Sequence, residues 1–192
     1  MVPRIEAPTV AEHRAMRQRA VLDHAVDLLI SQGPAALTPA AVAQRTGLAR
    51  TSVYQYFPSS RDLLGAAIEE LFVVSREGLD EALRAAGSDP RDRLAAYVRA
   101  TLESARRGHS PTRLMGIELS EESRARLRRL HEQIAEPLVA LVEASGASDV
   151  ATTAALAQGV VNGAVALVER GGDLDAIAEA TLSFLRRALY GS

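Results

Sequence analysis

The sequence predicts an all-α fold of about nine helices: a three-helix helix-turn-helix domain followed by a larger helical domain. Three observations carry that expectation. Ala, Leu and Arg dominate, aromatic residues make up only 4% of the 192 residues, and Trp is absent, a composition that favours helix almost everywhere. Strand-like alternation of Val, Ile and Thr between turns is missing. Apolar residues instead recur at helical spacing between breaks rich in Gly and Pro.

Residues 1–10 (MVPRIEAPTV) carry two prolines and no period, so they are expected to form a flexible arm. A first helix is expected over Ala11–Ser31, where Val21, Ala25, Leu28 and Leu29 form a core-facing stripe. Gly33-Pro34 ends it. Thr38-Pro39 opens a second helix, because Thr caps free N–H groups and Pro at the first helical position loses no hydrogen bond. Gly47 permits the sharp turn after it, and Leu48 and Val53 are placed to fill the space between the second helix and a third over Arg50–Tyr56. Phe57-Pro58 stops the third helix. Ser59 to Asp62 has the form of a capping box and starts a long fourth helix reaching about Ala86. A fifth follows over Pro90–Arg107, a short sixth over Pro111–Leu119 and a long seventh over Glu121–Ala144, which Pro137 should kink. Gly146 and Gly171-Gly172 bound an eighth helix over Asp149–Glu169, and a ninth covers Leu174–Leu189. The domain boundaries read as 1–10, 11–58 and 59–192.

The chain has no Cys, which removes disulfides and thiolate metal sites. The first thirty residues carry charges throughout, unlike a secretory leader, and no apolar run is expected to reach membrane-helix length. The expectation is a soluble, cytoplasmic protein. The net charge is −2, but residues 1–61 hold seven arginines against four acids, and the rest of the chain holds fifteen against twenty. There is no lysine, so every fixed cation is a guanidinium. Arginine suits bidentate contacts to phosphate and guanine, although an Arg- and Ala-rich chain also fits genome composition alone. The motifs of acyl transfer, zinc hydrolysis and phosphate cradling are missing, and His13, His24, His109 and His131 are scattered without metal-ligand spacing. An enzyme is not expected, and neither is a cofactor or a metal.

The stretch Leu37–Leu64 (LTPAAVAQRTGLARTSVYQYFPSSRDLL) is the most informative. A short helix, a Gly turn and a second helix with polar outward positions form a helix-turn-helix, whose second helix can enter the DNA major groove. Val53 is the only plainly apolar residue of that second helix, which leaves it little reason to exist as packing alone. Arg50 suits guanine O6 and N7, Gln55 suits adenine N6 and N7, and the Thr51 methyl suits a thymine methyl. The hydroxyls of Ser52, Tyr54 and Tyr56 suit phosphate oxygens. The helix N-termini near Thr38 and near Ser60-Arg61 offer further N–H groups to phosphates. Tyr54 and Tyr56 also fit half-buried boundary aromatics, and Arg50 and Gln55 also fit solvated surface.

The run Leu37-Thr38, Val42-Ala43, Gly47-Leu48, Val53-Tyr54-Gln55-Tyr56-Phe57-Pro58-Ser59 and Leu63-Leu64 resembles the DNA-binding domain of the tetracycline-repressor (TetR) family, and the helix order of the whole chain is similar too. The resemblance implies a homodimer that binds a palindromic operator, mostly as a repressor released by a small molecule. Ala49 stands where the family usually has a capping Ser. Ser60 replaces a common phosphate-binding lysine, which moves that role to Arg61, and Tyr56 replaces a more usual histidine.

In the larger domain, the eighth helix carries Leu156, Gly159, Val160, Gly163 and Leu167 along one face, and the ninth carries Ile177, Thr181, Phe184 and Leu185. These are expected to pack against a symmetry mate as a four-helix interface, or else into their own subunit. The effector pocket implied by the resemblance has Phe72, Tyr97, Leu102, Leu114, Met115 and Leu138 as candidate lining residues, with Arg113 and Glu118 as polar members. For the apolar ones, plain core is the competing assignment, and for His109 a solvated loop. The aliphatic character points to an apolar or amphipathic effector. The alternative function is a helix-turn-helix protein that answers to a protein partner or organises DNA, without a small effector.

Overall fold

The computed structural model describes residues 10–109 and 119–191. Among these residues the protein has eight α-helices, one short 3-10 turn and no strand. The expected flexible arm lies almost wholly outside the described residues, as does the expected short helix over Pro111–Leu119 except for its last residue. The chain divides into two compact units. The first holds the described residues up to Ala67 together with 119 and 120, and the second holds the remainder from Ile68. The division falls inside a helix, several residues beyond the boundary expected at Pro58.

The first unit contains α1 (Val10–Gln32), α2 (Pro39–Thr46), α3 (Arg50–Tyr54) and the start of α4 (Ser60–Ala85). Residues 11–20 of α1 are exposed, and its buried stripe begins at Val21 and continues through Ala25, Leu28 and Leu29. Leu37, Val42, Val53, Phe57 and Leu63 are buried in the same unit, where α2 packs on α1 and α3 on α2. Thr38 caps α2, its Oγ1 accepting from the Ala41 N–H at 3.1 Å. Gly47 ends that helix at φ 68°, a left-handed conformation that costs glycine nothing sterically. The Ser59 hydroxyl accepts from the Asp62 N–H at 3.1 Å and donates to the Asp62 carboxylate at 2.8 Å, so the expected capping pair opens α4.

The second unit is built from the rest of α4 with α5 (Pro90–Arg106), α6 (Glu121–Ala144), α7 (Val150–Glu169) and α8 (Leu174–Tyr190). Asp89, Asp149 and Asp173 cap α5, α7 and α8 through their carboxylates. One apolar core joins Leu94, Tyr97, Val98 and Leu102 of α5 to Leu138 and Leu141 of α6, Val161 and Val165 of α7, and Leu182 and Leu185 of α8. Helix α6 continues through Pro137 without a break. Helix α7 is 20 residues long with a mean hydropathy of 1.4, so by length and composition alone it could cross a membrane. This corrects the expectation that no apolar run reaches that length: scattered Thr, Gln and Asn interrupt the apolar residues without adding charge. Its inner positions Ala154, Ala157, Val161, Ala164, Val165 and Val168 are packed in the core.

Tyr97 is fully buried and donates from its hydroxyl to Gln158 Oε1 at 3.1 Å. Burial pushes its phenol up to about 12, and the bond to Gln158 offsets only part of this. Because the folded-state value lies above the ordinary one of 10.0, the contribution is intact below about pH 10 and is lost as pH rises through about 12, to a limit on the order of 2–3 kcal/mol. No lysine titrates in that window. Urea unfolding followed from pH 8 to 12 is expected to show a steep loss of stability above pH 10. In Tyr97→Phe the slope becomes shallower while the three other tyrosines remain.

Candidate nucleic-acid interface

Between Asp27 and Asp62 the sequence contains no acidic residue, while Arg45, Arg50 and Arg61 fall in that interval. All three are exposed, as are Arg14 and Arg17 on the outer part of α1. The interval thus carries three exposed cations and no carboxylate in its own sequence, a charge balance suited to approach to a phosphate backbone.

Helix α3 holds its place through one side chain. Val53 is fully buried, while Arg50 and Thr51 are exposed and Ser52 and Tyr54 are half-buried. Ala49 precedes the helix in extended conformation and makes no side-chain cap, as its methyl requires. The helix is shorter than the sequence suggests, ending at Tyr54 rather than Tyr56. Gln55 keeps helical dihedrals as the cap residue, and Tyr56 lies in the following turn, where its N–H and that of Phe57 both donate to the Val53 carbonyl at 3.0 Å. The Phe57 side chain is buried and pulls the chain away from the helix path.

Arg50 NH2 donates to the Tyr54 hydroxyl at 3.3 Å, one turn away, and the guanidinium lies 5.9 Å from that ring's centroid. This hydrogen bond lowers the Tyr54 pKa below its ordinary value against a smaller opposing effect of burial, with the Arg50 charge and Ser60 adding to the lowering. Arg50 is thus aligned along the exposed face of α3 by its own neighbour. Thr51 and Gln55 are exposed on the same segment, and Thr38 is exposed with its hydroxyl oxygen engaged in capping α2. Arg61 is exposed in the first turn of α4.

Arg14 belongs to this surface and sequence reasoning missed it. Its NH2 donates to the Gln55 carbonyl at 3.1 Å, and its guanidinium sits 5.7 Å from the centroid of the Tyr56 ring. It satisfies a carbonyl at the C-terminal end of α3, where a cation is also favoured by the helix dipole. The signal was present as an arginine in a helical stretch with no apolar stripe, but nothing in the sequence pairs positions 41 residues apart.

The other site residues fall in the second unit. Tyr97, Leu102 and Leu138 come together in its apolar core, and Phe72 is buried beside the His131 ring, with ring centroids 6.4 Å apart. Arg113, Leu114, Met115 and Glu118 lie outside the described residues. His109 is half-buried at the end of the α5 turn, and burial, then the Arg107 charge, lowers its pKa. An open groove of about 430 Å³ lies instead against Arg76, Asp80, Leu83, Arg84, Arg93, Glu136, Pro137 and Ala140. On α7 and α8, Leu156, Leu167 and Phe184 are exposed at 69%, 47% and 56%. Gly159 and Gly163 are exposed, and Val160 and Ile177 are half-buried. Thr181 and Leu185 are a correction. Both are buried in their own subunit, with the Thr181 hydroxyl donating to the Ile177 carbonyl, because α8 turns that side inward onto α5 and α7.

Residues 21–67 match the family of bacterial regulatory proteins described as tetR. The chain is 30% identical over 89 residues to the HTH-type transcriptional regulator BetI of Rhizobium meliloti (strain 1021), a match covering 46% of this chain and 43% of that relative, so it spans less than half the relative's length. The fold is similar to that of a putative transcriptional regulator from Saccharomonospora viridis solved with choline (TM-score 0.73, 16% identity, 90% of this chain and 96% of that one). It is likewise similar to the transcriptional regulator FadR from Bacillus subtilis solved with stearoyl-CoA (TM-score 0.70, 17% identity, 87% and 96%). The matched segment contains the whole helix-turn-helix described above, and over those residues the chain is similar to the tetR family of bacterial regulatory proteins.

Proposed function

We propose that this transcriptional regulator is a cytoplasmic homodimeric repressor that reads a palindromic operator and is released by a small apolar or amphipathic effector. The observation that carries the DNA-binding part is the acid-free helix-turn-helix, whose exposed face holds Arg50, Thr51 and Gln55 beside Tyr54 and Tyr56. Arg50 and Gln55 read base edges. Ser52, Tyr54, Tyr56, Arg61 and the N-terminus of α2 at Thr38 hold phosphates. The domains are a DNA-binding part ending near Pro58 and a ligand-binding and dimerisation part after it.

The dimer is supported by an unusual use of glycine. Gly159 and Gly163 sit inside α7, where each costs about 1 kcal/mol relative to Ala. A Cβ at either position would meet nothing within 4 Å in this subunit. Their reason is sought outside the subunit, where two backbones approach closely, with Leu156, Leu167 and Phe184 of the same exposed face filling the flanks. A two-fold pairing there sets two copies of α3 on successive half-sites, about 34–36 Å apart in DNA. The effector reading is supported by neighbours solved with choline and with stearoyl-CoA, which share the fold. Effector binding in the second unit moves α4, and the DNA-binding helices move with it. A coupling of about 1–3 kcal/mol then lowers operator affinity roughly 5- to 150-fold.

Selection of bound sequences from random duplex DNA tests the reading, and a palindromic consensus is expected. Recovery of no enriched sequence at low ionic strength removes it. On that consensus, Arg50→Ala is expected to cost about 1–3 kcal/mol and relax preference at one base position, whereas Arg61→Ala weakens all sequences alike and reduces the salt slope by about one. Phe184→Asp is expected to shift sedimentation from dimer to monomer with helix content unchanged, and to weaken operator binding by at least about tenfold. An unchanged sedimentation coefficient counts against the α7–α8 interface.

A further inference from the structure

Proline has no N–H, so Pro137 leaves the carbonyl four residues earlier, that of Gln133, without its donor in the α6 ladder. The structure supplies a substitute from another helix. Arg76 of α4 donates from NH1 to that same carbonyl, while its Nε donates to both oxygens of Asp80, at 2.8 and 2.9 Å, one turn along α4. The planar guanidinium, with several donors in fixed directions, is suited to holding a carboxylate and a carbonyl at once, which a lysine ammonium is not. Arg76, Asp80 and Pro137 all border the open groove of about 430 Å³.

This contact is one of a series. Arg126 of α6 donates from Nε to Glu69 of α4 at 2.8 Å, and Phe72 of α4 meets the ring of His131 of α6. Positions 69, 72 and 76 of α4 thus meet 126, 131 and 133 of α6, so the two helices run side by side in the same direction. The polar ties at the ends of this stretch are seven residues apart on each helix, two full turns. An apolar seam tolerates sliding of one helix along the other. A guanidinium bound to one particular carbonyl does not, and α6 offers a ladder carbonyl without its donor where Pro137 creates one.

We infer that Arg76 is a positioning residue that fixes the register of α4 along α6 by replacing the hydrogen bond Pro137 removes, and thereby sets the affinity of the protein for its operator. The second half rests on the reading above, in which α4 connects the effector-binding part to DNA. Arg76 lines the open groove beside the contact, so a small molecule seated there would compete with the carbonyl for its N–H groups.

The test is a double-mutant cycle on the full chain. Pro137→Ala returns an N–H to the ladder and makes the Arg76 donor redundant. Arg76→Ala is expected to lower the unfolding temperature by about 2–4 °C in the native background and by less than about 1 °C in the Pro137→Ala background. Arg76→Lys, which keeps the charge beside Asp80, is expected to fall between. Against the selected consensus duplex, Arg76→Ala is expected to weaken binding at least about 5-fold, and by less than 2-fold when Pro137→Ala is present. Equal thermal shifts in both backgrounds overturn the register contact. Non-additive thermal shifts with unchanged duplex affinity overturn its influence on DNA. If the unsubstituted protein binds no duplex, the DNA reading and the influence on affinity fall together, while the thermal cycle still decides whether Arg76 replaces the missing bond.

Discussion

A helix of five residues cannot stabilise itself, since nucleation costs more than so few hydrogen bonds return. The burial of Val53 is therefore the interaction on which the reading surface depends. One isopropyl group, fully buried in a helix that packs on α2, anchors a segment whose remaining residues are polar and exposed or half-buried. Everything around it restricts the same few backbone dihedrals. The left-handed Gly47 fixes the entry, the Phe57 side chain fixes the exit, and Arg14 holds the last carbonyl in place. These contacts restrict the backbone of the segment, so under the proposed function its side chains would meet DNA with little ordering left to do.

The second unit solves the opposite problem. Its helices are long and apolar enough to pack without help, and the polar contacts there serve to place them. Arg99 of α5 reaches Asp175 and Glu179 of α8, Arg93 of α5 holds the Leu83 carbonyl in the last turn of α4 and the Gly87 carbonyl in the turn after it, and Arg126 and Arg76 tie α4 to α6. Exposed pairs of this kind add little stability. Their value lies in specifying which turn of one helix faces which turn of another, where interchangeable Leu and Ala side chains do not.

Much of this was legible in the sequence because it is local. Thr38-Pro39, Gly47 and the Ser59–Asp62 pair are written within four residues of the structure they create, and the stripe from Val21 to Leu29 follows from helical period alone. Three kinds of feature were not legible. The end of α3 was misplaced by two residues because Gln55 and Tyr56 have ordinary helical propensity, and only the tertiary burial of Phe57 ends the helix early. The inward turn of Thr181 and Leu185 was hidden because α8 is apolar on two sides, one for its own core and one exposed, and periodicity does not say which is which. Arg14 and Arg76 were invisible for a plainer reason: each satisfies a carbonyl far away in the chain, and a carbonyl leaves no trace in side-chain identity.

The absence of lysine has a consequence for how this surface behaves in a cell. Guanidinium groups stay protonated well past any physiological pH, so the positive potential around α3 does not titrate. Nor does any side chain in the chain offer an amine to acyl transfer, the usual covalent means of erasing positive charge from a DNA-binding face. Its cationic character is fixed at translation and is not open to erasure by lysine acylation.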